Sequence, residues 1–181
     1  MKMKKKIIAI IGLMGVGKTT IGVKLAEKLG YYFIDCDCEI EDRERKPITA
    51  IFAENGEKYF RQIEADVIKE IVMRDESIVF SLGGGAFINE ETQKILKERA
   101  IVIWLYASVD EILHRIGNKT TRPLLNQSLN QSLNQKNKRE VLEELAQKRY
   151  PIYAKADFKF DTTNCNHEAL VKKIIHKINA K

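Results

Sequence analysis

The chain has 181 residues, 44% of them hydrophobic and 31% charged, which describes one globular domain able to bury a substantial core. Its net charge of +6 comes from the two ends: Lys2, Lys4, Lys5 and Lys6, then Lys172, Lys173, Lys177 and Lys181. Without those the body is slightly acidic, which argues against nucleic acid as a partner, and no segment approaches the ~20 apolar residues of a membrane span.

Residues 7–11 are a continuous apolar run and read as a buried strand. The run is short and continues into a glycine motif, so a strand is expected rather than a signal peptide. Gly12-Leu-Met-Gly15-Val16-Gly17-Lys18-Thr19 follows, with the P-loop spacing of Gly, four residues, then Gly-Lys-Thr. Residues 18–29 carry Ile21, Leu25 and Leu29 at helical spacing, and Gly30 stops the helix. Strand, motif and helix in that order favour a phosphate-binding loop over a plain glycine turn. Glycines let backbone N–H groups turn around phosphate oxygens, and the helix start adds positive potential. Lys18 can reach the outer phosphates and Thr19 can ligate Mg²⁺. The motif leaves the acceptor of the phosphate open.

A second strand is predicted at 31–34, ending at Asp35-Cys-Asp37. On extended backbone, residues at i and i+2 point the same way, and open α/β sheets bind ligands at the carboxyl ends of strands. Two carboxylates there could divide work between a metal and an acceptor hydroxyl, or form an ordinary polar strand end. Residues 36–62 are polar and mixed, with Pro47 and Gly56, and read as a small insertion. A helix is predicted at 63–74, with Arg61 at its opening and Glu64 one turn on. A strand at 78–82 runs into Gly83-Gly84-Gly85, where backbone can approach a ligand closely. A Walker-B Asp is absent from this strand.

Helices at 90–99 and 109–115 flank a strand at 101–106. Residues 117–137 are polar, repeat Leu-Asn-Gln from Leu125, Leu129 and Leu133, and read as a loop or lid. Helices at 138–150 and 168–179 enclose a weaker strand at 158–160. In the first of these, Arg149 shares a stripe with Leu142 and Leu145. An arginine on an apolar stripe needs an anion, which a structural ion pair or a bound ligand could supply. With Arg61, and Arg122 in the lid, it suggests a clamp on an anionic substrate. Cys36, Cys38 and Cys165 form a sparse, odd set; Cys36 and Cys38 lack a second pair at metal spacing, and a reducing cytoplasm is expected. Alternating strands and helices predict a parallel sheet covered on both faces.

The ordered set Gly12–Thr19, Asp35-Cys-Asp37, Phe60-Arg-Gln-Ile-Glu64, Ser81-Leu-Gly-Gly-Gly-Ala86, Arg122-Pro-Leu-Leu125 and Lys148-Arg-Tyr-Pro-Ile-Tyr153 resembles the shikimate kinase family over nearly the whole chain. That resemblance implies a three-layer α/β/α P-loop kinase fold with a five-stranded parallel sheet. It implies a single domain over 1–181, a substrate-binding insertion at 36–62 and a lid at 117–137. The implied reaction is ATP-dependent phosphorylation of the 3-hydroxyl of shikimate, in aromatic amino-acid biosynthesis, by a cytoplasmic monomer using Mg²⁺. By motif, Gly12, Gly15, Val16, Gly17, Lys18, Thr19 and Thr20 would hold the nucleotide, with Arg115 against adenine and Arg122 closing over the phosphates. Thr19 and Asp35 would serve the metal. Asp37 would orient and deprotonate the acceptor. Arg61, Arg149 and Gly83 to Gly85 would hold the shikimate. Two departures stand out: the stretch between Arg122 and Arg149 is long, and His167 occupies a position where the family pattern has Pro. His167 reads as a helix start. Rival readings are a gluconate or nucleoside monophosphate kinase, and a nucleotide-binding switch that transfers nothing. The arginine pair with the three glycines favours a small carboxylate, and Asp35 with Asp37 counts against the switch.

Overall fold

The computed structural model describes residues 7–117 and 138–180. Strand β1 (Ile7–Ile11) leads through the phosphate loop into α1 (Lys18–Leu29), then β2 (Tyr32–Asp35). Two helices follow, α2 (Cys36–Glu44) and α3 (Ile48–Met73), before β3 (Ile78–Ser81) and a short 3-10 turn (Ala86–Ile88). The chain continues as α4 (Glu90–Arg99), β4 (Ile101–Tyr106) and α5 (Val109–Gly117). It ends with α6 (Lys138–Tyr153), β5 (Phe158–Asp161) and α7 (His167–Asn179). All five strands are parallel, in the order β2-β3-β1-β4-β5. Side chains alternate across a strand, so the unbroken burial of β1 and β3 requires cover on both faces. Helices α1 and α7 pack together, as do α3 and α4.

The order places a topological switch at β1. The chain leaves β1 toward β3 and β2 on one side and later builds β4 and β5 on the other. A crevice therefore opens at the carboxyl end of β1, where the phosphate loop lies.

Three expectations need correction. Segment 36–62, where no helix was predicted, is largely helical. Its α2 is capped by Asp35, whose side chain accepts the Asp37 N–H at 3.1 Å. The first helical N–H of α3, at Ile48, is satisfied by Glu41 Oε1 at 2.9 Å, a cap supplied seven residues upstream. Second, α3 starts at Ile48, so Arg61 lies well inside it. Helix direction breaks only at Gly56, at φ 79° and ψ 174°. Third, α6 extends to Tyr153 through Pro151, which costs one backbone donor within the last turn. His167 does begin α7, behind an Asn166 cap that accepts from Glu168 and Ala169 N–H. Under α6, Tyr153, Tyr150 and Tyr106 surround Trp104, with ring centroids 6.0, 5.3 and 5.8 Å away. Of the segment 117–137 expected as a lid, Gly117 ends α5, and the rest, with Arg122, lies outside the described residues.

Gly12 joins β1 to the loop at φ 150°, and a Cβ there would stand 2.4 Å from the Leu105 carbonyl oxygen. That oxygen belongs to β4 and cannot move without disturbing the sheet. Gly12→Ala should therefore lower stability by about 1–3 kcal/mol, read as a lower urea midpoint at unchanged slope.

Candidate active site

Helix α1 begins behind Gly17, which offers no side-chain cap, and its first turn carries no acidic residue. The N–H groups of its first turn are therefore left for an anion. Lys18 Nζ donates to the carbonyls of Gly12 and Leu13, both at 3.0 Å, so its charge lies over the loop. The loop is braced from behind. Arg115 donates from Nη1 to the Val16 carbonyl and to Thr162 Oγ1, both at 3.1 Å, and from Nε to Glu111 Oε1 at 2.7 Å. Thr162 is itself buried, with its hydroxyl 3.0 Å from the Tyr106 carbonyl and 3.2 Å from that of Val16.

Asp35 ends β2 directly opposite Ser81, the last residue of β3. Its Oδ2 accepts from Thr19 Oγ1 and from Ser81 Oγ, each at 2.9 Å. An acidic side chain thus stands beside Thr19 one strand away from β3, where no Walker-B Asp occurs, and Ser81 holds it. Asp37, expected to share a strand face with Asp35, stands instead in the first turn of α2. Asp35 spends its Oδ1 on the cap, and Asp37 faces the triglycine loop. Burial raises the Asp37 pKa, the Asp35 charge adds to the rise, and Lys18 and Arg61 oppose it.

The three glycines have a steric purpose. A Cβ on Gly83 would stand 2.6 Å from Glu64 Oε1 and 3.0 Å from Asp37 Oδ1. On Gly84 it would stand 2.9 Å from Arg149 Nη1, and on Gly85 it would stand 2.7 Å from both Arg61 Nη atoms. Each bare Cα is therefore the seat of a different charged side chain. The Gly12 carbonyl lies 3.8 Å from the Gly84 position, so this cluster abuts the phosphate loop. Arg61 Nη1 donates to Glu64 Oε2 at 2.7 Å. Glu64 is only 3% exposed, and its Oε1 has no hydrogen-bond partner among the described residues. Burial pushes the Glu64 pKa up, against the Arg61 charge and hydrogen bond; nearby Asp37 pushes the same way, and Arg149 opposes.

The structure brings together Lys18, Thr19, Asp35, Asp37, Arg61, Gly83, Gly84, Gly85 and Arg149. Gly12, Gly15, Val16, Gly17 and Thr20 belong to the loop and the first turn beside them. Arg115 is anchored to the loop and to the start of the segment after β5. Arg122 lies outside the described residues. Sequence reasoning left out Ser81, Glu64, Tyr153 and Thr162 as site residues. For Glu64 the signal was available in its i,i+3 spacing to Arg61; the others depend on strand register and tertiary packing.

A P-loop at the switch point, a carboxylate pair and an arginine pair define a P-loop kinase for a small molecule. A family model described as shikimate kinase matches residues 14–179. A shikimate kinase of Rhizobium meliloti (strain 1021) is 39% identical over 171 residues, covering 94% of this chain and 84% of that protein. One from Thermodesulfovibrio yellowstonii is 39% identical over 94% of this chain and 93% of its own length. The solved structure of shikimate kinase from Acinetobacter baumannii in complex with shikimate is 35% identical, covers 96% of this chain and 93% of that one, and gives a TM-score of 0.84. A gluconokinase from Sinorhizobium meliloti 1021, at 15% identity and a TM-score of 0.60, shares the fold alone. This chain belongs to the shikimate kinase family.

The raised pKa of Glu64 has a measurable sign. A carboxyl whose folded pKa exceeds its unfolded value of about 4.3 supports the fold below that value and loses its contribution as pH rises through the folded value. Glu64→Gln is neutral at every pH. Urea midpoints between about pH 4 and pH 8 should therefore shift in favour of Glu64→Gln as pH rises. The opposite trend would mean that the Arg61 charge outweighs burial.

Proposed function

We propose that this chain transfers the γ-phosphoryl group of ATP to the 3-hydroxyl of shikimate. The observation that carries the reading is the seating of Asp37, Glu64, Arg149 and Arg61 on three bare glycines beside the phosphate loop. A compact ring bearing one carboxylate and several hydroxyls matches that arrangement. Arg61 and Arg149 present forked donors to the carboxylate, and Asp37 presents an acceptor to a hydroxyl. As the hydroxyl oxygen bonds to the γ-phosphorus and the bond to ADP breaks, Asp37 takes the hydroxyl proton. Lys18 and the first N–H groups of α1 hold the phosphates in line. Their charge offsets the negative charge on the leaving ADP.

Mg²⁺ fits the same corner. Thr19 Oγ1 and Asp35 Oδ2 are adjacent oxygens at 2.9 Å, and Mg²⁺ ordinarily keeps several waters and substrate phosphates as ligands. No cluster of three or more His, Cys, Asp or Glu that could cage a metal occurs among the described residues, consistent with an ion that arrives with the nucleotide. Thr19 and Asp35 would hold it, the latter through water, and it would supply charge neutralisation at the phosphates. The free thiols Cys36, Cys38 and Cys165 suit a reducing cytoplasm.

The first test is ADP formation with and without shikimate, with gluconate and a nucleoside monophosphate as alternative acceptors. Only shikimate should stimulate turnover, and no stimulation would overturn the reading. Asp37→Asn should lower kcat by roughly 10²–10⁴-fold while ATP still binds. A variant keeping a third of the activity would remove Asp37 from the chemistry. Arg61→Lys and Arg149→Lys keep the charge and lose the fork. Each should raise KM for shikimate about 10- to 150-fold and leave KM for ATP nearly unchanged. Equal binding of shikimate and its amide analogue by the wild type would make these arginines structural ion pairs.

A further inference from the structure

Tyr153 is fully buried, yet it carries a hydroxyl into the site. That hydroxyl donates its one proton to the Gly84 carbonyl. Its lone pairs remain for a donor. The point beside the Gly84 Cα where a Cβ would stand lies 2.9 Å from Arg149 Nη1 and 4.0 Å from Tyr153 Oη. Arg149 and the hydroxyl thus flank the same bare Cα. Arg149 is one helical turn before Tyr153, on the same face of α6. Burial raises the Tyr153 pKa, and the nearby Arg149 charge opposes the rise. The ring is fixed from the other side by Trp104 and Tyr150, at centroid distances of 6.0 and 6.5 Å.

We infer that Tyr153 is a positioning residue for the acceptor, its hydroxyl joining the Gly84 backbone to the Arg149 guanidinium so that both meet the substrate carboxylate in one geometry. The inference rests on the reading of Arg149 given above and deepens it. Arg149 has a long side chain, and a free guanidinium on such a stem would lose rotamer freedom on binding. Tyr153 makes that loss part of folding, leaving the fork ready before the substrate arrives. Glu64 performs no such service for Arg149, because its Oε2 is bonded to Arg61 and its Oε1 has no hydrogen-bond partner among the described residues.

Tyr153→Phe removes the hydroxyl and leaves the ring. The expected result is a rise in KM for shikimate of about 5- to 10-fold, the worth of one buried hydrogen bond. The change in kcat and in KM for ATP should stay within about twofold. The preference for shikimate over its amide analogue should shrink by the same factor as KM rises. Tyr150→Phe is the control: its hydroxyl bonds the Ala107 carbonyl at 3.1 Å in the same aromatic group, and it should leave KM for shikimate unchanged. An unchanged KM in Tyr153→Phe beside a raised KM in Arg149→Lys overturns the role of Tyr153 and leaves the arginine clamp standing. Unchanged KM in both variants overturns the clamp and the inference together. A common rise for shikimate and ATP, with a lower urea midpoint, would make Tyr153 a support of the core and overturn the inference.

Discussion

The rest of the site depends on backbone that carries no side chains. At the carboxyl end of β3, three consecutive Cα atoms are the floor on which Asp37, Glu64, Arg149 and Arg61 are laid. Positive and negative groups brought this close can stay half-buried only because each has an opposite neighbour. Any Cβ would push one of them away and leave another uncompensated. The sheet fixes where that floor lies, since β3 is hydrogen-bonded on one side to β1, which delivers the phosphate loop, and on the other to β2, which delivers Asp35.

Nucleotide and acceptor halves are held by different means. The phosphate loop is braced by polar contacts from α5 and from the chain after β5, through Arg115 and Thr162. The acceptor half hangs on α3 and α6, and α3 is secured to α2 by surface pairs such as Arg43 with Glu70 at 2.8 Å and Arg74 with Glu39 at 3.1 Å. Exposed pairs of this kind contribute about 0–1 kcal/mol each. The buried Ile48 and Ile51 therefore hold the insertion more firmly than its charges do.

How far the site was legible in the sequence follows from how local each feature is. The phosphate loop is contiguous, and its chemistry is carried by residue types in fixed order. The central strands were legible because a buried parallel strand is apolar without interruption. The arginines were legible as anomalies on apolar stripes. Other features depend on parts distant in sequence. The start of α3 depends on Glu41 capping Ile48 across a turn, so the polar sequence around it carries no helix signal. The place of Ser81 depends on the register that sets it opposite Asp35. The three glycines were read as backbone that a ligand can approach closely; the fold adds that each bare Cα also lies beside a charged side chain of the protein. Only the fold says which side chain takes which glycine.

Trp104, the single tryptophan in the chain, is 5% exposed, and its indole N–H has no hydrogen-bond partner among the described residues. Three tyrosine rings stand within about two ring widths of it, and Lys159 Nζ lies 4.4 Å from its ring centre. Tyr153 links this ring to the glycine floor, so the protein contains its own optical reporter. The three tyrosine rings lie at distances over which excitation can pass to the buried indole. Trp104 also stands opposite Ile11, the last residue of β1 before the phosphate loop, so one indole lies between the acceptor side and the nucleotide side and can be followed without attaching a dye.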